Sequence, residues 1–206
     1  MSLTNIISID KIKEGLQTYW DVKTPFKKQE EAKQNVSKKI NITDDIDTYT
    51  NFIKKYEGLE LTAYKPEHPD GSEEEYYTIG YGRYDKNIKK DMTITEEQAD
   101  NFLQEDINIR LPEIRKAIPG FDKMPLEVRT NILGSWFRGS IKANHKTVTL
   151  INEGKFKEAS KEFLNHTGYL EKWKPQKETR LKENKDVSNS VATRMENTAK
   201  AIASLK

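Results

Sequence analysis

Between Asp45 and Gly82 the hydrophobic period of the chain changes from helical to alternating, and a glycine stands at the change. Ile46, Tyr49, Ile53 and Tyr56 form the one-sided stripe of an amphipathic helix, with Thr43 in N-cap position and Gly58 where a left-handed C′ residue is expected. The next six residues, LELTAY, alternate apolar and polar positions as a strand does, and YYTIGYGRY, residues 76–84, reads as a second strand. The segment between them carries Pro66, Pro69 and a run of acids, which suits a turn and not a sheet interior. A helix running directly into a small antiparallel sheet is therefore the expected start of the domain.

After Asp91 the pattern is helical to the end. Thr95 with Gln98 makes a capping box for a helix bearing Ala99, Phe102, Leu103 and Ile107, and Pro112 is expected to break or kink it. Residues 125–137 are the most apolar stretch; Leu126, Ile132, Leu133 and Trp136 predict a buried central helix that ends at Gly139. Residues 148–166 read as two helices about a turn at Gly154, and residues 191–205 as a closing amphipathic helix. The fold class is thus α+β, mostly helical with a small antiparallel sheet.

Residues 1–44 read as a separate arm on a domain spanning 45–206. In the arm Ile9, Ile12, Leu16 and Trp20 fall at helical spacing, Pro25 interrupts, and a stretch rich in Lys, Glu and Gln follows. That stripe is too small for a core of its own and must dock on its own domain or on a partner. The N-terminus has neither a basic segment nor a sustained apolar segment of the signal-peptide kind, and nothing approaches the ~18 apolar residues of a membrane span. Synthesis in the cytoplasm, with delivery by something other than its own leader, is the expectation.

With no cysteine the chain has neither disulfides nor a thiolate nucleophile. His68, His145 and His166 show no metal-ligand spacing, and the acidic loop lacks the periodicity of a calcium site, so no cofactor or metal is expected. Acids outnumber bases over residues 45–86 and the reverse holds over 174–206. The basic tail lacks interleaved aromatics and reads as a solvated helix face, not as a nucleic-acid surface.

Glu57 stands at the end of the first helical stripe, where the negative end of the helix dipole favours the protonated form from which a general acid works. A second carboxylate across a cleft would complete the pair that glycoside hydrolysis needs, and the acidic loop offers several. On spacing alone a surface acid closing a helix is the commoner meaning of such a residue. YEGLELTAY, YYTIGYG and TITEEQADNFLQEDI, however, together resemble the phage-type lysozymes, glycoside hydrolase family 24, and the likeness continues through NILGSWFRG, INEGKFKEA and VATRMENTAKAI to the C-terminus.

The resemblance implies a two-lobe lysozyme-like fold that hydrolyses the bond between N-acetylmuramic acid and N-acetylglucosamine in peptidoglycan. It implies Glu57 as general acid and Thr78 as the threonine that helps hold the attacking water. The family aspartate follows Ala-Tyr-x directly; Pro66 has that place here, and Asp70 is the best choice for the displaced partner, ahead of Glu67 and Glu73 to Glu75. Gly80 and Gly82 would let a sugar approach the backbone, Tyr81 suits stacking on a sugar face or packing in the core equally well, and Phe137 holds a substrate-facing position that is usually Asn or Gln. Arg83 replaces a usual His, and Arg194 matches an arginine expected to form an ion pair behind the cleft. A lytic transglycosylase, and a glycan-binding virion module with a worn centre, are the alternatives. The arm suggests virion proteins as partners and anchorage in a phage particle; an endolysin released through a holin pore is the other expected route.

Overall fold

The computed structural model describes residues 43–66 and 74–206, so the expected arm lies outside the described residues but for its last two positions. The described part holds seven α-helices and one three-stranded sheet, the α+β class read from the sequence. Helix α1, Thr43–Tyr56, buries Tyr49 and Ile53 and leaves Asp47, Asn51 and Lys55 in solvent, as its stripe predicts. Each such buried apolar side chain is worth about 1.5–3 kcal/mol. Gly58 follows the helix without adopting the left-handed conformation expected of it; positive φ occurs instead at Gly80, Gly82, Gly139 and Gly154.

Strands β1, Glu60–Tyr64, β2, Tyr77–Gly80, and β3, Arg83–Asp85, form an antiparallel sheet in sequence order. The single strand expected over residues 76–84 is two strands, because Gly80 at φ +66° and Gly82 at φ +94° turn the chain back on itself. Thr78 lies opposite both Tyr64 and Tyr84 in the central strand. The outer edge of β1 is covered: Ala63 N–H donates to Met92 (2.8 Å) and Ile94 N–H to Leu61 (2.9 Å). That leaves β1 less open to pairing with another chain.

Helix α2, Glu96–Ala117, starts at the predicted capping box, with Thr95 and Gln98 bonding each other's backbone N–H groups. It continues through Pro112, contrary to the expected break. Pro112 and Asn108, whose carbonyl loses its donor, lie on the exposed face, while the adjoining Leu111 and Ile114 are fully buried and hold the helix to the core. Helix α3, Leu126–Phe137, is buried from Val128 through Ser135 except at Arg129. Leu126, expected in the core, is exposed at the entrance to the helix, one residue after Pro125.

Helices α4, Lys146–Asn152, and α5, Phe156–Leu164, turn about Gly154 as expected. A π-helical segment, Gly168–Trp173, leads into the exposed α6, Lys174–Lys182, and α7, Val191–Ala203, closes the chain against α3 and α5. Two polar links hold the helices around α3. Arg129 pairs with Asp45 and donates to the Tyr49 hydroxyl (3.1 Å), tying α3 to α1, and Ser135 bonds Thr198 at 2.9 Å, tying it to α7.

Candidate active site

The amide of Glu57 donates to the Ile53 carbonyl at 2.9 Å, so the residue completes the last turn of α1 although the helix proper ends at Tyr56. Its side chain turns toward α7, where Nη1 of Arg194 donates to Oε1 at 3.0 Å and to the Tyr56 carbonyl at 3.2 Å. The Arg194 guanidinium also faces the Tyr56 ring, 5.6 Å from its centroid. The position of Arg194 follows from the start of α7: Ser190 Oγ caps the helix by accepting the Thr193 amide, and Arg194 then falls in the first turn. The ion pair expected of Arg194 is present, and its partner is Glu57.

Both members of the pair are partly shielded, Arg194 at 11% and Glu57 at 27% side-chain exposure, so their attraction is stronger than between surface charges. Among the described residues Oε2 of Glu57 accepts no hydrogen bond. Arg138, at the C-cap of α3, is a further cation in this group and was not singled out from the sequence. Burial, and next the charge of Arg194, pull its guanidinium down to about 10, with Glu57 and Tyr56 opposing.

Thr78 is buried in the middle of the sheet, opposite Tyr64. The Tyr64 hydroxyl is pushed above its ordinary value by partial burial and then by the charges of Glu60 and Glu57. A Cβ at Gly80 would touch Ala99 and Ile94 at 3.6 Å, so that glycine faces α2 and the core; Gly82 is exposed, with nothing within 4 Å of a Cβ placed there.

Tyr81 is buried in the core, with the Lys54 ammonium 5.4 Å from its ring centroid. Phe137 ends α3 beneath the Arg110 guanidinium, 4.5 Å from its ring, at a surface depression of about 460 Å³ lined by Trp136 and Glu113 as well. Asp70 lies outside the described residues, as do Glu67 and Glu73. The structure therefore pairs Glu57 with Arg194, sets Tyr64 opposite Thr78 across β1 and β2, and packs Gly80 and Tyr81 inward.

Arg83 clamps β3 to α2. It donates to Asp106 from Nε (3.2 Å) and Nη2 (3.0 Å), to Glu105 (2.9 Å) and to the Phe102 carbonyl (3.0 Å), and stacks on the Phe102 ring. Burial alone would lower its affinity for the proton, but the bonds to Asp106 and Glu105 outweigh burial and raise it.

The phage lysozyme family model matches residues 54–183. An endolysin of Bacillus phage B103 is 32% identical over 124 residues, which cover 55% of this chain and 42% of that protein. An endolysin of Lactococcus phage c2 is 47% identical over 58 residues, covering 28% of this chain and 23% of its own. The matched segments span less than half the length of these relatives. Among solved structures, the muramidase domain of SpmX from Asticaccaulis excentricus aligns over 75% of this chain and 92% of its own, at 18% identity and TM-score 0.49. A mutant form of P22 lysozyme aligns over 75% and 94%, at 20% identity and TM-score 0.46.

Proposed function

Because the chain belongs to the phage lysozyme family, we propose that it is a peptidoglycan hydrolase that cleaves the link from N-acetylmuramic acid to N-acetylglucosamine, with Glu57 as general acid. The observation that carries this reading is the Glu57 carboxyl at the end of α1, held through Oε1 by Arg194. Protonated Glu57 gives its proton to the glycosidic oxygen as the bond to the anomeric carbon breaks. The electron pair of that bond leaves with the oxygen, which departs as an alcohol. Positive charge develops at the anomeric carbon, and Glu57 is left as a carboxylate that Arg194 stabilises.

Water attacks from the opposite face and gives up a proton to a second carboxylate. Asp70 has that role in this account, Thr78 holds the water, and the product has inverted configuration. Gly82, exposed and in the left-handed region, leaves the turn after β2 bare for a sugar, and Phe137 offers an apolar surface further along. The arm, residues 1–44, serves delivery and anchors the enzyme to virion proteins so that the wall is cut locally. The endolysin relatives favour the other route, release of a free enzyme after synthesis in the host cytoplasm.

The test is the product. Digestion of purified peptidoglycan should yield new reducing N-acetylmuramic acid ends. New N-acetylglucosamine reducing ends, or 1,6-anhydro ends, would contradict the assignment.

A further inference from the structure

Helix α6 buries none of its side chains, yet polar links hold it to the rest of the chain. Arg180 donates from Nε (3.2 Å) and Nη2 (2.7 Å) to the Asp186 carbonyl, which closes the turn after the helix. Lys177 pairs with Glu196 of α7, and Glu196 also accepts the Tyr169 hydroxyl at 3.1 Å. Between α6 and the segment leading into α7 lies a depression of about 380 Å³, with Trp173, Gln176, Lys177, Arg180, Asn189 and Ser190 in its walls. That volume falls within the range of about 300–1,000 Å³ found for small-ligand pockets.

The indole in the wall is held in place. His166 stacks on Trp173, ring centroids 5.7 Å apart and 12° from parallel. Gly168 leaves room for the stack, since a Cβ there would meet His166 at 3.0 Å and Trp173 at 3.1 Å. The π-helical turn that ends at Trp173 is a form of helix frequent at functional sites. Beside the indole, the side-chain amides of Gln176 and Asn189 are exposed and make no hydrogen bond among the described residues. The charged groups, by contrast, are already engaged: Lys177 with Glu196, Arg180 with a carbonyl, and the Asp186 carboxylate with the amide and hydroxyl of Ser188, both at 2.8 Å.

An aromatic ring bordered by free amides suits a sugar, whose C–H face packs on the ring while its hydroxyl and acetamido groups bond the amides. A carboxylate or phosphate suits it less, because the cations are spent on protein acceptors. Ser190 lies on the same face of α7 as Arg194, about 6 Å before it along the axis, and Arg194 holds Glu57. Resting on the reading of the substrate as peptidoglycan, we propose that this depression is a subsite for a further N-acetylated sugar of the glycan strand, beyond the two joined by the bond that is cut. It holds the strand at the helix end from which the Glu57 pair is built.

The experiment is calorimetric titration of the full chain, carrying Glu57→Gln so that nothing is cut, with long peptide-free glycan strands of alternating N-acetylglucosamine and N-acetylmuramic acid. Trp173→Ala, and separately Gln176→Ala combined with Asn189→Ala, should each weaken binding by about tenfold, while Trp173→Phe, which keeps an aromatic face, should weaken it far less. If Trp173→Ala does not fold, the amide pair, both exposed, is read in its place. Unchanged affinity in the folded amide variant, or equal loss in Trp173→Phe and Trp173→Ala, overturns the subsite. A loss seen only with strands that still carry their peptides shows a peptide site and overturns it too. The hydrolytic reading fails by a different result: strands that the unaltered chain binds but from which it releases no new reducing ends.

Discussion

Nη1 of Arg194 lies 3.0 Å from Oε1 of Glu57, and this contact joins the first turn of α7 to the residue that completes α1, 137 positions apart in sequence. The same nitrogen also takes the Tyr56 carbonyl, one of the acceptors that a helix end leaves unpaired. A single side chain thus closes α1 and fixes the direction of the Glu57 carboxyl.

Replacing Arg194 by Met should lower kcat by about tenfold or more, because the carboxyl loses its orientation and its carboxylate product loses a partner. Stability should fall by only about 1–2 kcal/mol, since Glu57 keeps some solvent. Urea denaturation with turbidity clearing separates the two effects. A variant that unfolds more readily but clears peptidoglycan at the original rate would show Arg194 to be structural alone.

Asp70→Asn should cost far more activity than Glu67→Gln or Glu74→Gln, because only the carboxylate opposite the acid can take the proton of the attacking water. Thr78→Val should also reduce kcat while leaving the sheet intact, as Val keeps the β-branched shape. Equal losses from all three acidic variants would mean that the loop delivers no particular base.

The Arg83 clamp should make the junction of β3 and α2 insensitive to pH across the neutral range, since a guanidinium keeps its charge there. Arg83→His should reverse this. A histidine paired with Asp106 has a folded pKa raised above its unfolded value, so its stabilisation is complete below about 6.5 and is lost as pH rises through the folded value. Melting temperatures at pH 5 and pH 8 should diverge for the variant far more than for the parent; parallel shifts would contradict the clamp.

Much of this architecture is readable where the cause is local. The α1 stripe, the Thr95–Gln98 capping box and the turns at Gly139 and Gly154 each depend on a few neighbouring residues, and each is present. Pro112 misleads because the helix-breaking rule ignores Leu111 and Ile114, whose burial in the core holds α2 together. Residues 76–84 are readable as extended but not as two strands, although two glycines so close together mark the turn. At the site, Glu57 is marked by its place at the end of the α1 stripe and given its role by resemblance, whereas Arg194 is legible through resemblance alone. Arg138 is not, because a charged residue between Phe137 and Gly139 reads as a surface helix end, whereas its Nε and Nη2 are buried without a hydrogen-bond partner.

Truncation before Thr43 should leave hydrolysis of purified peptidoglycan near normal, since α1 begins there and the described core draws on residues from Ile46 onward. Incorporation into phage particles should be lost if the arm anchors the enzyme. Particles that contain none of the full-length chain would point to a released enzyme, and loss of the fold would place the arm in the core.

The most direct measurement is the rate at which Glu57→Gln clears purified peptidoglycan, with circular dichroism to establish that the variant is folded. The amide keeps the shape of the side chain but has no proton to give the leaving oxygen, so the rate should fall by about 10²-fold or more with the melting curve little changed. A folded Glu57→Gln protein that clears peptidoglycan at the parent rate would contradict the account.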